Sequence, residues 1–417
     1  CDPSVLDQAL PIEGAPPAGC PYAPGDWTDP PETGITPTNR HAPPFVDTLD
    51  PGRALRDEEA ELVYRNAPML AYIFEHNLYT REGLGARFRA MAAAQEASVP
   101  AHRTDLEVRY PEDAIMVKVD WVHQRFMLEA GLISDTGPNG EPLDPPQNAE
   151  YPYITVQMTG ADPVDTGLYY MVAMTNSSKA LPGWHWYAIE HVANEGRCDF
   201  IGCNDSFGYS VPGTVVDGVA YGTNYISPHP LTEPDTGEGD IPSGYGQVYD
   251  PAQTGEAMTD ALAALFDGMG IGTAETDADP AVLDPTDPAW RNYRMKGTQT
   301  NFTTNDGVTT IMGASVTEGG FVNSASCMTC HSQSTVDETG GVAIGGFGSI
   351  SRLNIFGYQQ SSNGPPQEAW FYNPGTPTFE ALPMDFVWGI ANANCATPAE
   401  SGDDCESYEG VTINFPD

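Results

Sequence analysis

Two thiols and an imidazole stand together at Cys327-Met328-Thr329-Cys330-His331. That spacing is what covalent c-type haem attachment requires. Each thiol adds to one vinyl group of the porphyrin, the two residues between them set the reach between the sulfurs, and His331 falls under the iron as proximal ligand. The chain has 8 Cys and 8 His in 417 residues. About 0.003 such pentads are then expected by chance, so the single copy is a specific signal. A thioredoxin-like pair would want its thiols at a strand-to-helix turn, but the flank 321–326 is short, polar and irregular. A structural zinc site would need a second ligand pair at tight spacing, and the sequence has none. One covalent haem c on Cys327 and Cys330, with His331 as metal ligand, is the expectation.

A second group of residues could complete such a site. In Trp184-His185-Trp186-Tyr187-Ala188-Ile189-Glu190-His191, a strand would put His185, Tyr187, Ile189 and His191 on one face and Trp184, Trp186 and Glu190 on the other. A helix would group Trp184, Tyr187, Ala188 and His191. In either case His191 can sit beside an aromatic wall. The expectation is that His191 contacts or ligates the haem and that Trp184 and Trp186 line it. The competing reading makes His191 a hydrogen-bonded core histidine and the tryptophans packing. Met384 is the alternative metal ligand, at a separation from His331 at which small c-type cytochromes return a Met sulfur to the iron. The sixth ligand decides the chemistry: Met raises the potential relative to a second His, and an open position permits catalysis.

The elements that must position these residues point to an α+β fold, β-rich, with an antiparallel sheet or sandwich as its body. With 43 Gly and 38 Pro, turns and long connections are many, which argues against an all-helical bundle. Residues 1–52 form an extended, Pro-rich tether. Residues 53–283 carry a helical pair and then the β-rich body. Ala60, Leu62, Val63, Ala67, Leu70 and Ile73 recur at helical spacing, and 84–97 is rich in Ala, Arg and Met. Met69, Met91 and His76 on these helices are read as core or surface. Strands follow at 114–121, 153–158, 167–175 and 184–192, and a short helix at 259–269. Residues 284–417 form a loop-rich haem-bearing segment packed on the body. Glu275, Asp277, Asp279, Asp284 and Asp287 could hold calcium, but their spacing is not that of an EF-hand and a solvated acidic loop is favoured.

Seventeen basic against 58 acidic residues give a formal net charge of −41. Such a surface repels phosphate backbones, which excludes nucleic acid as a partner, and it suits basic partners. Cys198/Cys203 and Cys395/Cys405 are close pairs in Gly-, Asp- and Asn-rich loops, so local disulfides and an oxidising compartment are expected. A chain that begins at Cys1 and continues into a Pro-rich run looks like a processed bacterial lipoprotein. The expected location is periplasmic or cell-surface, with membrane contact only through a lipid on Cys1; a Cys1–Cys20 disulfide in a secreted protein is the alternative.

Several short motifs occur in a distinctive order: Lys118-x-x-Trp121; Lys179, then Trp184-x-Trp186 and Glu190-His191; Trp290-Arg291-Asn292-Tyr293 with Gly297-Thr298-Gln299; Ser326-Cys327-Met328-x-Cys330-His331; and Asp385-Phe386-x-Trp388. This order resembles a group of bacterial single-haem cytochrome c family proteins with no assigned reaction. The resemblance covers residues 114–390 and implies that the Trp motif and the haem motif belong to one unit of an exported haem protein. The position near Thr175 is often His in that group, so no metal or catalytic role is built on it here. Three functional readings follow. The first is an exported monohaem cytochrome passing electrons to redox partner proteins. The second is a haem enzyme of peroxidase or oxidase type, with His191 or His185 as acid-base group. The third is a cell-surface structural or assembly protein carrying one haem.

Overall fold

The computed structural model describes residues 58–97, 107–160, 163–199, 258–274, 286–318, 326–343 and 378–391, with shorter pieces between them and on to Cys405. The proposed tether, Cys1 and Cys20 lie outside the described residues, as do Glu275, Asp277 and Asp279 of the acidic loop.

The fold is α+β and β-rich, built on one six-stranded antiparallel sheet. Its strands are β1 (Glu59–Arg65), β2 (Ile115–His123), β3 (Thr155–Met158), β4 (Gly167–Ser178), β5 (His185–His191) and β6 (Tyr293–Gln299). They run in the order β1-β2-β4-β5-β6, with β3 also pairing with β4. The longest strand, β4, is central because its apolar run is buried on both faces. Among the described residues the body is this single sheet plus two-stranded ribbons, with no second large sheet to make a sandwich.

The expected helical pair starts later than its periodicity suggested. Residues 59–65 form β1, because Ala60, Leu62 and Tyr64 alternate onto a core with Val119 and Trp121. The apolar set at 60, 62 and 63 suits either period, and pairing with β2 decides it. Helix α1 (Ala67–Glu75) then begins at Asn66, whose side chain accepts from the Met69 N–H, with Pro68 in the first turn. Helix α2 (Arg81–Ala97) follows. At Gly85 a Cβ would sit 2.7 Å from the Glu338 carbonyl oxygen, so glycine lets α2 approach the turn just past the pentad.

The two faces of the sheet differ. One carries Leu62, Val119, Trp121, Met171, Ile189 and Tyr293 in a core of its own. The other carries Met116, Trp186 and Ala188, which join the largest core with α1, α2 and the pentad. Met69 and Met91 are part of that core. The sheet also crosses the boundary drawn near residue 284, since β6 pairs with β5 from Gln299↔Trp186 to Tyr293↔His191. Residues on the last strand therefore sit beside both the Trp motif and the chain that leads to the thiols.

The expected local disulfides are present: Cys198–Cys203 and Cys395–Cys405. No described helix is long and apolar enough to cross a membrane.

Candidate functional site

The pentad is itself a short helix, α3 (Cys327–His331). Ser326 caps it, accepting from the Thr329 N–H at 3.3 Å, and Gln299 at the end of β6 donates to the Ser326 hydroxyl at 3.1 Å. Gln299 thus ties the edge of the sheet to the first turn of the pentad. Cys327 is buried and Cys330 half-buried, and neither is in a disulfide. They lie three residues apart in a helix, which places them on one side of it.

His331 is held with a defined tautomer. Its Nδ1 lies 2.8 Å from the carbonyl oxygen of Phe386. A carbonyl only accepts, so Nδ1 carries the proton and Nε2 keeps its lone pair. Burial lowers the imidazole to about 4, which leaves it neutral at neutral pH. Trp186 packs against the ring, with centroids 4.5 Å apart.

The Phe386 carbonyl is aimed by a turn that few residues adopt. Asp385 and Phe386 have φ of 49° and 71°, a left-handed backbone costly for side chains with a Cβ. Buried partners hold it there. The Asp385 Oδ1 accepts from Lys179 Nζ at 2.6 Å and from Trp184 Nε1 at 3.3 Å, and Oδ2 accepts from the Tyr110 N–H at 2.8 Å. Lys179 also donates to the Pro182 carbonyl. Burial raises the Asp385 carboxyl while Lys179 draws it back down. In the sequence Lys179, Trp184 and Asp385 were only letters of motifs; folded, they form one anchor for His331. A bulky residue before an x-Trp was no signal for a left-handed turn, so this part was not readable.

A cavity of about 180 Å³ meets the His331 ring. Its walls include Trp186, Met116, Thr175, Ser177 and the Lys118–Glu61 ion pair, 3.0 Å between N and O. Lys118, Thr175 and Ala188 are register neighbours on one face of the sheet, as are Met116, Ser177 and Trp186 one row along. Charged side chains at inward-facing positions of β2 are the signal that could have marked this face in the sequence.

The other expected ligands fall elsewhere. Trp184 and Trp186 do reach the pentad's surroundings. His191 does not, because it is five residues beyond Trp186 on β5 and so points to the opposite face. There it stacks on Tyr153, with centroids 3.5 Å apart, and meets Tyr293 edge-on. Its Nδ1 accepts from the Ala193 N–H and its Nε2 faces the Pro152 carbonyl, so both ring nitrogens are used. Burial lowers it to about 3. This is the hydrogen-bonded core histidine of the competing reading. His185 shares that face and bonds Thr298. Met384 is fully buried in the core with Cys327 but is not part of the cavity wall at His331.

Two groups of carboxylates lie on the same face of the sheet as the pentad. Glu59, Glu61 and Asp120 bring carboxylate oxygens within 4.8 Å of one another. Glu318 is buried beside the first thiol, with Cys327 Sγ donating to its Oε1 at 3.2 Å, and the buried Glu190 near it accepts from the Ser315 N–H and hydroxyl. Asp284 and Asp287 of the acidic loop instead bond the local chain, at Thr286 and Ala289.

Compared with known protein families, with curated proteins and with solved structures, the chain matches none. The site must therefore be read from its own residues.

Proposed function

We propose that this chain is an exported c-type haem protein acting in electron transfer, with one porphyrin carried on Cys327 and Cys330 and His331 as proximal ligand. The observation that carries the reading is the His331–Phe386 hydrogen bond beside two cysteines that form no disulfide: it leaves an unprotonated Nε2 available to a metal. A bound haem supplies a one-electron iron couple. The chain's own residues do the rest. Cys327 and Cys330 fix the macrocycle, Trp186 packs the proximal ring, and the Lys179–Asp385 pair holds the turn that orients it. Two local disulfides agree with an oxidising compartment, where such attachment is completed. The motif resemblance to single-haem cytochromes points the same way.

The cavity is smaller than the roughly 300–1,000 Å³ of ordinary ligand sites. Seating a porphyrin against His331 therefore requires Lys118 and Glu61, whose side chains are 24% and 28% exposed, to swing outward. Met116 is the methionine in the cavity wall, and in the carrier reading it would be the residue offering a sulfur to the bound iron. A second reading, a haem enzyme, is favoured by the polar groups Lys118, Glu61, Thr175 and Ser177 at the same wall, which suit an open site with proton donors. Cyanide separates the two. A low-spin ferric spectrum that ignores it, and that turns high-spin in Met116→Leu, supports the carrier; a high-spin haem that binds it supports the enzyme.

A further inference from the structure

A second cavity, about 560 Å³, is larger than the one at His331 and has a different lining. Its volume falls within the roughly 300–1,000 Å³ of small-molecule sites. Residues 107–112 ahead of β2 and the turn 179–182 between β4 and β5 form one side. Met91 of α2 and the stretch 379–386 form much of the other. Five of the lining side chains are aromatic: Tyr110, Phe371, Tyr372, Phe379 and Phe386. Several are fixed from behind. Phe379 stacks on Phe88 of α2 with centroids 5.1 Å apart, and it meets Tyr372 at 5.6 Å across a β-bridge. Tyr110 meets Trp184 edge-on at 5.9 Å, and the Glu380 N–H donates to the Phe371 carbonyl at 2.8 Å. Rings held in this way present flat apolar surface to a ligand without having to be ordered by it.

The polar groups are few and nearly balanced in charge. Lys179 and Asp385 line the cavity with 7% and 8% of their side chains still exposed. Asp385 Oδ1 accepts from Lys179 and Trp184, whereas among the described residues Oδ2 accepts from the Tyr110 N–H alone. A carboxylate oxygen accepts two hydrogen bonds, so Oδ2 has room for one more donor. Lys179 uses two of its three hydrogens on Asp385 and the Pro182 carbonyl, and the Trp184 ring lies 5.4 Å from Nζ. A ligand hydroxyl suits this pair because it donates to the carboxylate without bringing a charge into a buried site. At the rim Arg109 bonds Glu107 at 2.9 Å, and Glu112 is exposed. Three lining carboxylates against two cations disfavour an anion, and a cationic head would be buried beside the Lys179 ammonium.

We propose that this cavity is a binding site for an uncharged, planar aromatic alcohol of the phenol class, its rings against the aromatic side chains and its hydroxyl donating to Asp385. The apolar walls supply affinity, and the open acceptor position on Oδ2 supplies selectivity. A ring system with no donor would strip water from that oxygen and put nothing in its place. Binding there needs no bound haem, so the site and the haem reading fail independently.

The test is calorimetric titration of the full chain with naphthol, its methyl ether and naphthoate, joined to methyl NMR of the chain labelled at methionine. Naphthol is expected to bind at one site, with the methyl ether and naphthoate each about tenfold weaker or more, the loss that goes with one hydrogen bond to a charged group. The Met91 methyl should shift on binding, while that of Met171, in the core on the other face of the sheet, should not. Leu181 is 41% exposed at the cavity wall, so Leu181→Trp should fold and obstruct the site, weakening naphthol by at least about tenfold. Absence of naphthol binding, or binding no tighter than that of the methyl ether or naphthoate, overturns the proposal. So does binding that leaves Met91 unmoved or that persists undiminished in Leu181→Trp. Should that variant not fold, the Met91 and Met171 methyls of the wild type decide the location.

Discussion

His331 and His191 show how far residue type alone carries a functional argument. His191 is buried and His331 half-buried, both are held neutral, and both have a carbonyl within reach of a ring nitrogen. His331 uses one nitrogen on protein and keeps the other beside a cavity. His191 uses both, sandwiched between Tyr153 and Tyr293. Substituting His191 by Phe should cost about 1–3 kcal/mol in urea unfolding, because the Ala193 N–H and the Pro152 carbonyl lose partners. It should leave the visible spectrum of the loaded protein unchanged; a spectral shift would return His191 to the haem. The pentad was legible because its chemistry is local in sequence. The face that His191 occupies was also legible, since a strand's alternation separates it from Trp186. What could not be read was which reading of the segment, helix or strand, the neighbours would choose.

At the scale of elements, the site is a sheet face closed by short irregular segments. β5 and β6 bring Trp186 and Gln299 to the pentad, and the turn at 385–386 brings the carbonyl that orients His331. Lys179 and Asp385 are 206 residues apart and nearly fully buried. Removing one partner of such a pair strands the other, so Lys179→Ala should lose about 3–5 kcal/mol of stability. A loss below about 1 kcal/mol, the range of an exposed pair, would contradict the anchoring role. β2 and β3 were readable from alternation and β4 from its long apolar run, while β5 was legible only as one of two readings of the Trp motif. β1 was not, because Ala60, Leu62 and Val63 fit a helix as well as a strand until β2 supplies the partner. β6 was missed for another reason: Tyr293–Gln299 alternates weakly, with Arg294 and Lys296 among its residues and a bulge before Gly297.

For the whole molecule, charge and buried titrating groups set the solution behaviour. A net charge of −41 should make association with a basic redox partner fast at low ionic strength and slower as salt is added. An electron-transfer rate that does not respond to salt would argue for a neutral contact patch. Stability of the haem-free chain should also vary with pH in two limbs. His191 and His331 are lowered by burial from an ordinary 6.5 to about 3 and about 4, so the unfolded chain binds more protons. Their contribution is full above 6.5 and is lost as pH falls through those values. Glu318 is raised by burial from 4.5 to about 8, so its contribution is full below 4.5 and is lost as pH rises through 8. Urea unfolding across this range should show a maximum between the limbs, and Glu318→Gln should remove most of the alkaline decline. The central claim is tested most directly by the intact mass of the full chain, purified under denaturing conditions from a host competent in c-type cytochrome maturation. The account predicts the polypeptide plus one haem, with the addition lost when Cys327 and Cys330 are both replaced by Ala; a bare-chain mass from the wild type would contradict it.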